Sequence, residues 1–226
     1  DKNGGHSSQE DRQKLIEEAS QIFNLKGKIL LADREFVGDE WFSFLTSEGI
    51  DFIVRLSKTC YKKRITQSIG VSHSGLQKKA LKRKTGVGKI FELNGSKYTF
   101  VVIKNAKKDP NEPVLFLISS LSDYKEITNS YRIRWRIETC FRQLKTKGFN
   151  LEDLNFMDDK KILLMVVIVV MAYVLSIQKG LEDVKKKLKK YKNGQKTLAI
   201  SVFRVGLSKI KALAWNFDQF IRLLYL

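Results

Sequence analysis

The spacing of hydrophobic positions in the first part of the chain predicts alternating helices and strands. Residues 15–23 carry apolar side chains at helical spacing, after a Ser-Ser-Gln-Glu sequence that offers a capping box. Short apolar runs at 29–32 and 51–56 have the length of buried strands, and the aromatic-rich segment 41–45 between them is predicted to be a helix. A helix between two strands is typical of a parallel α/β sheet.

Residues 58–113 follow a different pattern and are predicted to be a small β-rich insertion. The first half of this region is polar and basic. Two alternating segments then flank Asn94-Gly95, a pair of residues typical of a two-residue hairpin turn. The apolar run 114–119 is predicted to return the chain to the main sheet.

The remainder of the chain is predicted to be largely helical. Residues 125–147 read as one long charged helix, and the tail 198–226 as an amphipathic one. The apolar run 162–177 is shorter than the ~20 residues that a membrane span needs, so we expect a buried helix packed against the sheet. The lysine-rich segment 185–192 is either a solvated stretch or a contact for the DNA backbone.

The charge balance indicates a polyanionic partner. The 226 residues include 42 lysines and arginines against 24 aspartates and glutamates, a net charge of +18. Such a surplus repels itself, and nucleic acid is the partner that it favours. A generic basic protein or one bound to a membrane surface would have the same composition. The 43% content of hydrophobic residues excludes a disordered tail.

Cysteine and histidine argue against two other classes of site. Cys60 and Cys140 are far apart and belong to no Cys/His cluster, so neither a zinc site nor a disulfide framework is indicated. We expect reduced thiols in a cytoplasmic protein. His6 and His73 lie in polar, loop-like stretches, which gives little support to a histidine-based nucleophile or a zinc hydrolase.

Asp33 is the first candidate for chemistry. It directly follows the predicted strand 29–32, and active groups in open α/β sheets gather where strands end. The alternative is an ordinary aspartate at a turn or helix start.

Four side chains of the charged helix form the second candidate. At about 100° per residue, Tyr131, Arg134, Glu138 and Lys145 fall within roughly 60° of arc, apart from the apolar face of the same helix. The alternative is a solvated face whose Glu/Arg pairs contribute a few tenths of a kcal/mol. Trp135 on this helix, like Trp41, is expected to be a core aromatic rather than a platform for stacking bases.

These two segments resemble the motifs of a known family. The sequence YRIRWRIETCFRQLK contains Y-x2-R-x3-E-x6-K, which is similar to the Tyr-Arg-Glu-Lys signature of a large class of bacterial insertion-sequence DDE transposases. The sequence LLADREFVGDEWFSFL resembles the motif around that class's second catalytic aspartate, here Asp33. The motifs stand in the family's order with a β-rich insertion between them. The resemblance implies an α/β, RNase H-like catalytic domain.

The resemblance also implies the chemistry and the residues that perform it. Carboxylates of the family hold two Mg²⁺ or Mn²⁺ ions, so Asp33 and Glu138 would be catalytic metal ligands. Tyr131, Arg134 and Lys145 would contact DNA phosphates near the cut. Arg34 would either do the same or pair with a carboxylate. The reaction is cleavage of the transposon end, followed by attack of the freed 3′-hydroxyl on target DNA.

One part of the family pattern is missing from these residues. The family's first catalytic aspartate lies on a strand upstream of the opening helix, and neither Asp1 nor Asp11 follows an apolar strand. We therefore expect an N-terminally truncated, incomplete RNase H-like domain that is inactive as a fragment. Its partners would be transposon ends and target DNA, and it would be a cytoplasmic homodimer when complete, without a membrane. The other two hypotheses are a non-catalytic DNA-binding remnant of a transposase and a basic membrane-associated protein.

The predicted organisation has four parts. They are the first part of the RNase H-like core (1–57), the β-rich insertion (58–113), the last core strand with the catalytic helix (114–150) and the C-terminal helices (151–226).

Overall fold

A computed structural model describes residues 8–57, 70, 73–83, 86–93, 95–105, 109–146, 148–153, 158–183, 188–190, 196–198 and 200–214. The chain divides into two compact units, Asp1–Trp135 and Arg136–Leu226.

The first unit is built on a five-stranded mixed sheet. Its described elements are α1 (Gln9–Ile22), β1 (Ile29–Ala32), a 3₁₀ turn (Arg34–Phe36), α2 (Asp39–Ser47), β2 (Asp51–Leu56), α3 (His73–Lys82), β3 (Val87–Leu93), β4 (Ser96–Lys104), β5 (Val114–Ser119) and α4 (Tyr124–Ile133). The strand order is β1-β2-β5-β4-β3. β1 and β2 are parallel and the other pairs are antiparallel. This architecture confirms the predicted α/β fold class.

Both faces of this sheet are covered, which explains the nearly continuous apolar sequence of its strands. Side chains alternate between the faces of a strand, so Phe52 and Val54 of β2 join a core cluster with α2 and α3, whereas Ile53 joins a cluster on the opposite face. In the first cluster the rings of Phe42 and Phe52 stack with their centroids 4.7 Å apart. α4 covers the other face through Ile127, which is fully buried.

The region predicted to be an insertion extends the same sheet. Leu93 pairs with Ser96 across a two-residue connection in which Gly95 has a φ of 75°; Asn94, the other residue of the predicted turn, lies outside the described residues. Residues 99–104 of β4 then pair with the whole of β5. α3 was not predicted, because its polar and lysine-rich sequence hides the two residues, Leu76 and Ala80, that it buries in the core. The boundaries of the insertion stay a prediction.

The single long helix predicted for 125–147 is wrong. α4 ends at Ile133, and α5 begins at Trp135 and ends at Lys145. Between them, the Arg134 N–H donates to the Tyr131 carbonyl at 3.1 Å, a bond one residue shorter than the α-helical one. The helical periodicity continues through this point in the sequence, so it gave no sign of the tighter turn.

The second unit contains the helical C-terminal part of the chain. Its described elements are α5, a 3₁₀ turn (Leu151–Asp153), α6 (Asp159–Asp183), the short hairpin β6 (Leu188–Lys190) and β7 (Lys196–Leu198), and α7 (Val202–Ala214). α7 packs closely on α6, because Gly206 and Gly180 have no side chains to keep the two backbones apart. Only part of the lysine-rich segment, and none of the tail beyond Ala214, lies within the described residues.

α6 confirms the predicted helix but contradicts the predicted burial. Val169 is 6% exposed and Ser176 is fully buried, whereas Leu163, Val167 and Met171 are 65%, 47% and 60% exposed. A helix that is apolar on all sides needs partners on all sides. Within the described part of the second unit, α6 meets such a partner mainly in α7.

The length argument against a membrane span does not hold for α6 either. Residues Asp159–Glu182 are long and apolar enough to cross a bilayer, by length and composition alone. A single helix of this kind is weak evidence, because core helices of soluble proteins meet the same criteria.

Candidate active site

Asp33 lies where the sequence placed it, at the carboxyl end of β1. Its Oδ1 accepts a hydrogen bond from the Arg34 N–H at 2.8 Å, so the carboxylate caps the 3₁₀ turn that follows. This bond holds the side chain at the edge of the sheet, where 38% of it remains exposed. A carboxylate fixed by the backbone and open to solvent is available to a ligand.

Two arginines approach Asp33 from different elements. Arg55 Nη1 is 3.5 Å from Oδ1, and Arg134 Nη1 is 3.8 Å from Oδ2. Each carboxylate oxygen therefore faces one guanidinium, at distances longer than those of strong charge-assisted hydrogen bonds. Asp33 is therefore an ion-pair partner of both arginines.

Arg55 reaches this place because of the alternation along β2. It shares a face of the strand with Ile53, the face that α4 covers, and its side chain is only 14% exposed. Its Nη2 donates to Glu112, and the Asn105 side chain supports this loop by donating to the Glu112 carbonyl at 2.8 Å. Burial lowers the pKa of Arg55, but the hydrogen bond and charge of Glu112, together with Asp33, outweigh burial and leave the pKa above its usual value.

Tyr131 is the most deeply buried member of the group, at 4% exposure. Its hydroxyl makes no hydrogen bond of normal geometry to any described residue. The Arg134 guanidinium lies over its ring, 5.6 Å from the centroid. Burial raises the pKa of Tyr131 to about 12, with Asp33 adding to the effect and Arg134 opposing it. The hydroxyl is therefore a neutral donor throughout the physiological range.

Glu138 and Lys145 lie on α5, in the second unit. Glu138 stands in the first turn of this helix and is half-buried, and Lys145 stands in the last turn and is exposed. Both interact with other residues. The structure thus brings together Asp33, Tyr131 and Arg134, while the metal-ligand role of Glu138 and the phosphate role of Lys145 stay predictions.

Sequence reasoning missed Arg55 and Glu112. Arg55 is a lone charge inside an apolar strand, a signal that could have marked it, whereas nothing in the polar loop around Glu112 sets that residue apart. Arg34, the motif residue whose role was left open, is exposed, and it contacts Asp33 through its backbone.

The two tryptophans differ from each other. Trp41 is 2% exposed, as expected of a core residue, but Trp135 is 43% exposed and does not fit that expectation. Trp135 borders a hollow of about 410 Å³ beside Tyr131, so its ring is available to solvent. Of the residues discussed for metal or hydrolase chemistry, Cys140 is a free thiol, and Cys60 and His6 lie outside the described residues.

The donor chemistry of Asp33 fits a hard divalent cation. Carboxylate oxygens are the ligands that Mg²⁺ and Mn²⁺ prefer, and 38% of the Asp33 side chain is exposed. Among the described residues, no group of three acidic, histidine or cysteine side chains comes together. Asp33 therefore offers one ligand of a site that needs others.

A comparison with known protein families finds a match over most of the chain. The profile of the family described as transposase DDE domain matches residues 5–175, a span that includes Asp33 and the whole segment from Tyr131 to Lys145. This match agrees with the resemblance carried by the two motifs. No curated protein matches the chain.

Proposed function

We propose that this chain, which belongs to the family of DDE-domain transposases, acts in metal-dependent DNA strand cleavage and strand transfer at the ends of an insertion sequence. Transposases act on DNA, and their DDE domains generally use divalent metals. The observation that supports the proposal most is the meeting of two motifs about a hundred residues apart in sequence: Arg134 Nη1 lies 3.8 Å from Asp33 Oδ2.

In this proposal Asp33 and Glu138 are the metal ligands. The bound ions, Mg²⁺ or Mn²⁺, supply Lewis-acid activation of the attacking and leaving oxygens of the phosphodiester. Both residues offer hard carboxylate oxygens, and the half-exposed side chain of Asp33 is fixed by the 3₁₀ turn that it caps. The protein itself then has to bind the DNA and orient the phosphate.

Tyr131, Arg134 and Lys145 are the proposed phosphate contacts. Arg134 carries a forked guanidinium that binds a phosphate through two parallel hydrogen bonds. Tyr131 is protonated at neutral pH, as any tyrosine is, so it is a donor to a phosphate once its buried hydroxyl becomes accessible. Arg55 lies between Asp33 and Glu112 and pairs with both, so its part in this proposal is to hold Asp33 in place.

The test is metal-dependent cleavage of a plasmid that carries the element's ends, by a protein in which these residues are extended upstream. Asp33→Asn and Glu138→Gln are expected to abolish cleavage and to leave DNA binding largely intact. Glu17→Gln, the same change at an exposed position of α1, is the matched control. A loss smaller than about tenfold, or ~1.4 kcal/mol in the barrier, would contradict the assignment of either ligand.

We also propose that a protein made of these 226 residues alone binds DNA without cutting it, and that the complete protein is a cytoplasmic homodimer. The net charge of +18 supports DNA binding. A non-catalytic DNA-binding remnant is the second candidate function, because no group of three acidic, histidine or cysteine side chains comes together among the described residues.

A further inference from the structure

The second unit contains a basic cleft between α5 and the start of α7. Its volume is about 450 Å³, and it is lined by Thr139, Arg142 and Gln143 on one side and by Ser201, Phe203 and Arg204 on the other. We propose that this cleft binds a backbone phosphate of the DNA strand that runs past Glu138. The inference rests on the proposed function and assigns a further part of the DNA-binding surface to it.

The position of Arg142 on α5 connects the cleft to Glu138. The two residues are four positions apart, so they lie on the same face of the helix, with a rise of about 6 Å between them. A DNA strand that places one phosphate at Glu138 and follows the helix axis meets Arg142 next. Arg142 lines the cleft from α5, and Arg204 lines it from α7.

The charges that line the cleft suit an anion. Arg142 and Arg204 are both exposed, and neither is in an ion pair within the described residues. Among the residues that the structure describes, no acidic side chain lines the cleft. Two guanidiniums facing the same space repel each other, and an oxyanion between them removes that repulsion while accepting hydrogen bonds from both.

Neutral donors complete the lining. Ser201 precedes α7, and its Oγ accepts from the Arg204 N–H at 3.3 Å, so the positive end of the helix dipole lies at the cleft. Thr139 adds a hydroxyl. Gln143 Oε1 is buried without a hydrogen-bond partner among the described residues. The amide NH₂ group of this side chain, which lines the cleft, is the kind of donor that an anion requires.

The walls are held in place by the packing of Phe203. This residue is 2% exposed, and its ring lies 5.4 Å from that of Tyr173 on α6 and 5.7 Å from that of Phe149. Gly148 and Gly206 allow this close approach, because a Cβ at Gly148 would meet the Phe203 ring and one at Gly206 would meet the Ser176 carbonyl. The start of α7 is therefore fixed against its neighbours, so Arg204 is positioned by a packed helix and not by a loop.

The experiment measures binding of the 226-residue chain to a short labelled DNA duplex over a series of KCl concentrations. Arg142→Ala with Arg204→Ala is expected to weaken binding and to lower the slope of log affinity against log salt by about 0.9, the effect of one lost phosphate contact. The control is Lys160→Ala with Lys211→Ala, which removes the same charge from exposed positions of the second unit outside the cleft. We expect a smaller change in slope for this control.

A slope equal to that of the parent in the arginine variant, or an equal loss in the lysine control, would overturn the cleft as a phosphate site. Circular dichroism checks the fold, and the single variants Arg142→Gln and Arg204→Gln repeat the test with side chains of similar size. The outcome is separable from that of the proposed function. Loss of cleavage in Glu138→Gln with an unchanged arginine-variant slope would retain the function and reject the cleft. Absence of DNA binding by the parent chain would reject the cleft and the proposed DNA binding by these 226 residues, while the cleavage assay decides on the proposed function.

Discussion

Tyr131 is buried beside Asp33, and its hydroxyl lacks a hydrogen bond of normal geometry among the described residues. A Tyr131→Phe variant can therefore distinguish a structural role of the hydroxyl from a functional one. Removing a buried hydroxyl that lacks a good hydrogen bond costs little stability. We therefore expect Tyr131→Phe to change the free energy of unfolding at pH 7 by less than about 1 kcal/mol, while lowering DNA cleavage by the upstream-extended protein of the cleavage assay. Urea unfolding and the cleavage assay measure the two effects. A large loss of stability with unchanged cleavage would assign Tyr131 to the core alone.

The raised pKa of Tyr131 makes stability depend on pH at the alkaline end. The pKa is about 12 in the folded protein against 10 in an unfolded chain. The contribution of the protonated hydroxyl to the free energy of unfolding is therefore fully present below pH 10. It is lost as the pH rises from about 10 to about 12, because only the unfolded chain releases the proton easily. Between pH 9 and 11.5, the parent is expected to lose up to ~2 kcal/mol more stability than Tyr131→Phe. Equal losses would show that the hydroxyl is not effectively buried.

Glu112 neutralises a mostly buried guanidinium, and removing it leaves Arg55 without its hydrogen-bonded carboxylate. Breaking a buried pair from one side costs about 3–5 kcal/mol, and the partial exposure of this pair reduces the expected value to about 1–3 kcal/mol. We expect that loss of unfolding free energy for Glu112→Ala and a smaller loss for Glu112→Gln, which keeps a hydrogen-bond acceptor. Glu17→Ala on the exposed face of α1 serves as control. A change below that of the control would show that Arg55 is held by other contacts.

At the scale of elements, the sequence predicted what local patterns determine. β1, β2 and β5 were recognisable because a strand covered on both faces is apolar along its length. The β3–β4 turn was recognisable because its positive φ at Gly95 is one that glycine adopts easily. The break at Arg134 was not recognisable, since its side chain turns toward Asp33, a hundred residues away in sequence. The same holds for the candidate site: Asp33 and the four-point motif were visible in the sequence, whereas the Arg55–Glu112 pair depends on tertiary contacts.

The two faces of α6 are expected to respond differently to charge. If the run 162–177 were buried as the sequence predicted, a charge at Val167 would unfold the protein, but Val167 is 47% exposed and Val169, two residues later, is 6% exposed. An unpaired charge at a buried position costs several kcal/mol. Val169→Lys is therefore expected to unfold or strongly destabilise the second unit, and Val167→Lys to be tolerated. Thermal unfolding by circular dichroism compares the pair. Equal destabilisation would show that the exposed face of α6 is covered in the protein.

At the scale of the whole molecule, charge and site composition lead to opposite expectations for binding and for cutting. The net charge of +18 is expected to give DNA binding by the 226 residues without sequence preference, weakened steeply by salt. Cleavage requires several oxygen ligands for two ions, and the two proposed ligands are too few. The assay compares this chain with an upstream-extended one in Mg²⁺ and in Mn²⁺. Metal-dependent cutting by the chain alone, lost in Asp33→Ala, would place the third carboxylate within these residues.

The two guanidiniums around Asp33 have a thermodynamic consequence. Asp33 and Arg134 are partners of each other. A cation on Asp33 therefore competes with Arg134, and a phosphate on Arg134 competes with Asp33. DNA that draws Arg134 away leaves a carboxylate oxygen free for the metal, and a metal on Asp33 releases Arg134 for DNA. The coupling free energy is the same in both directions, so a duplex that raises the affinity for Mn²⁺ by some factor must have its own affinity raised by that factor. Calorimetric titration of each ligand in the presence of the other measures the two factors, and Arg134→Lys, which keeps the charge but lacks the fork, is expected to shrink both together.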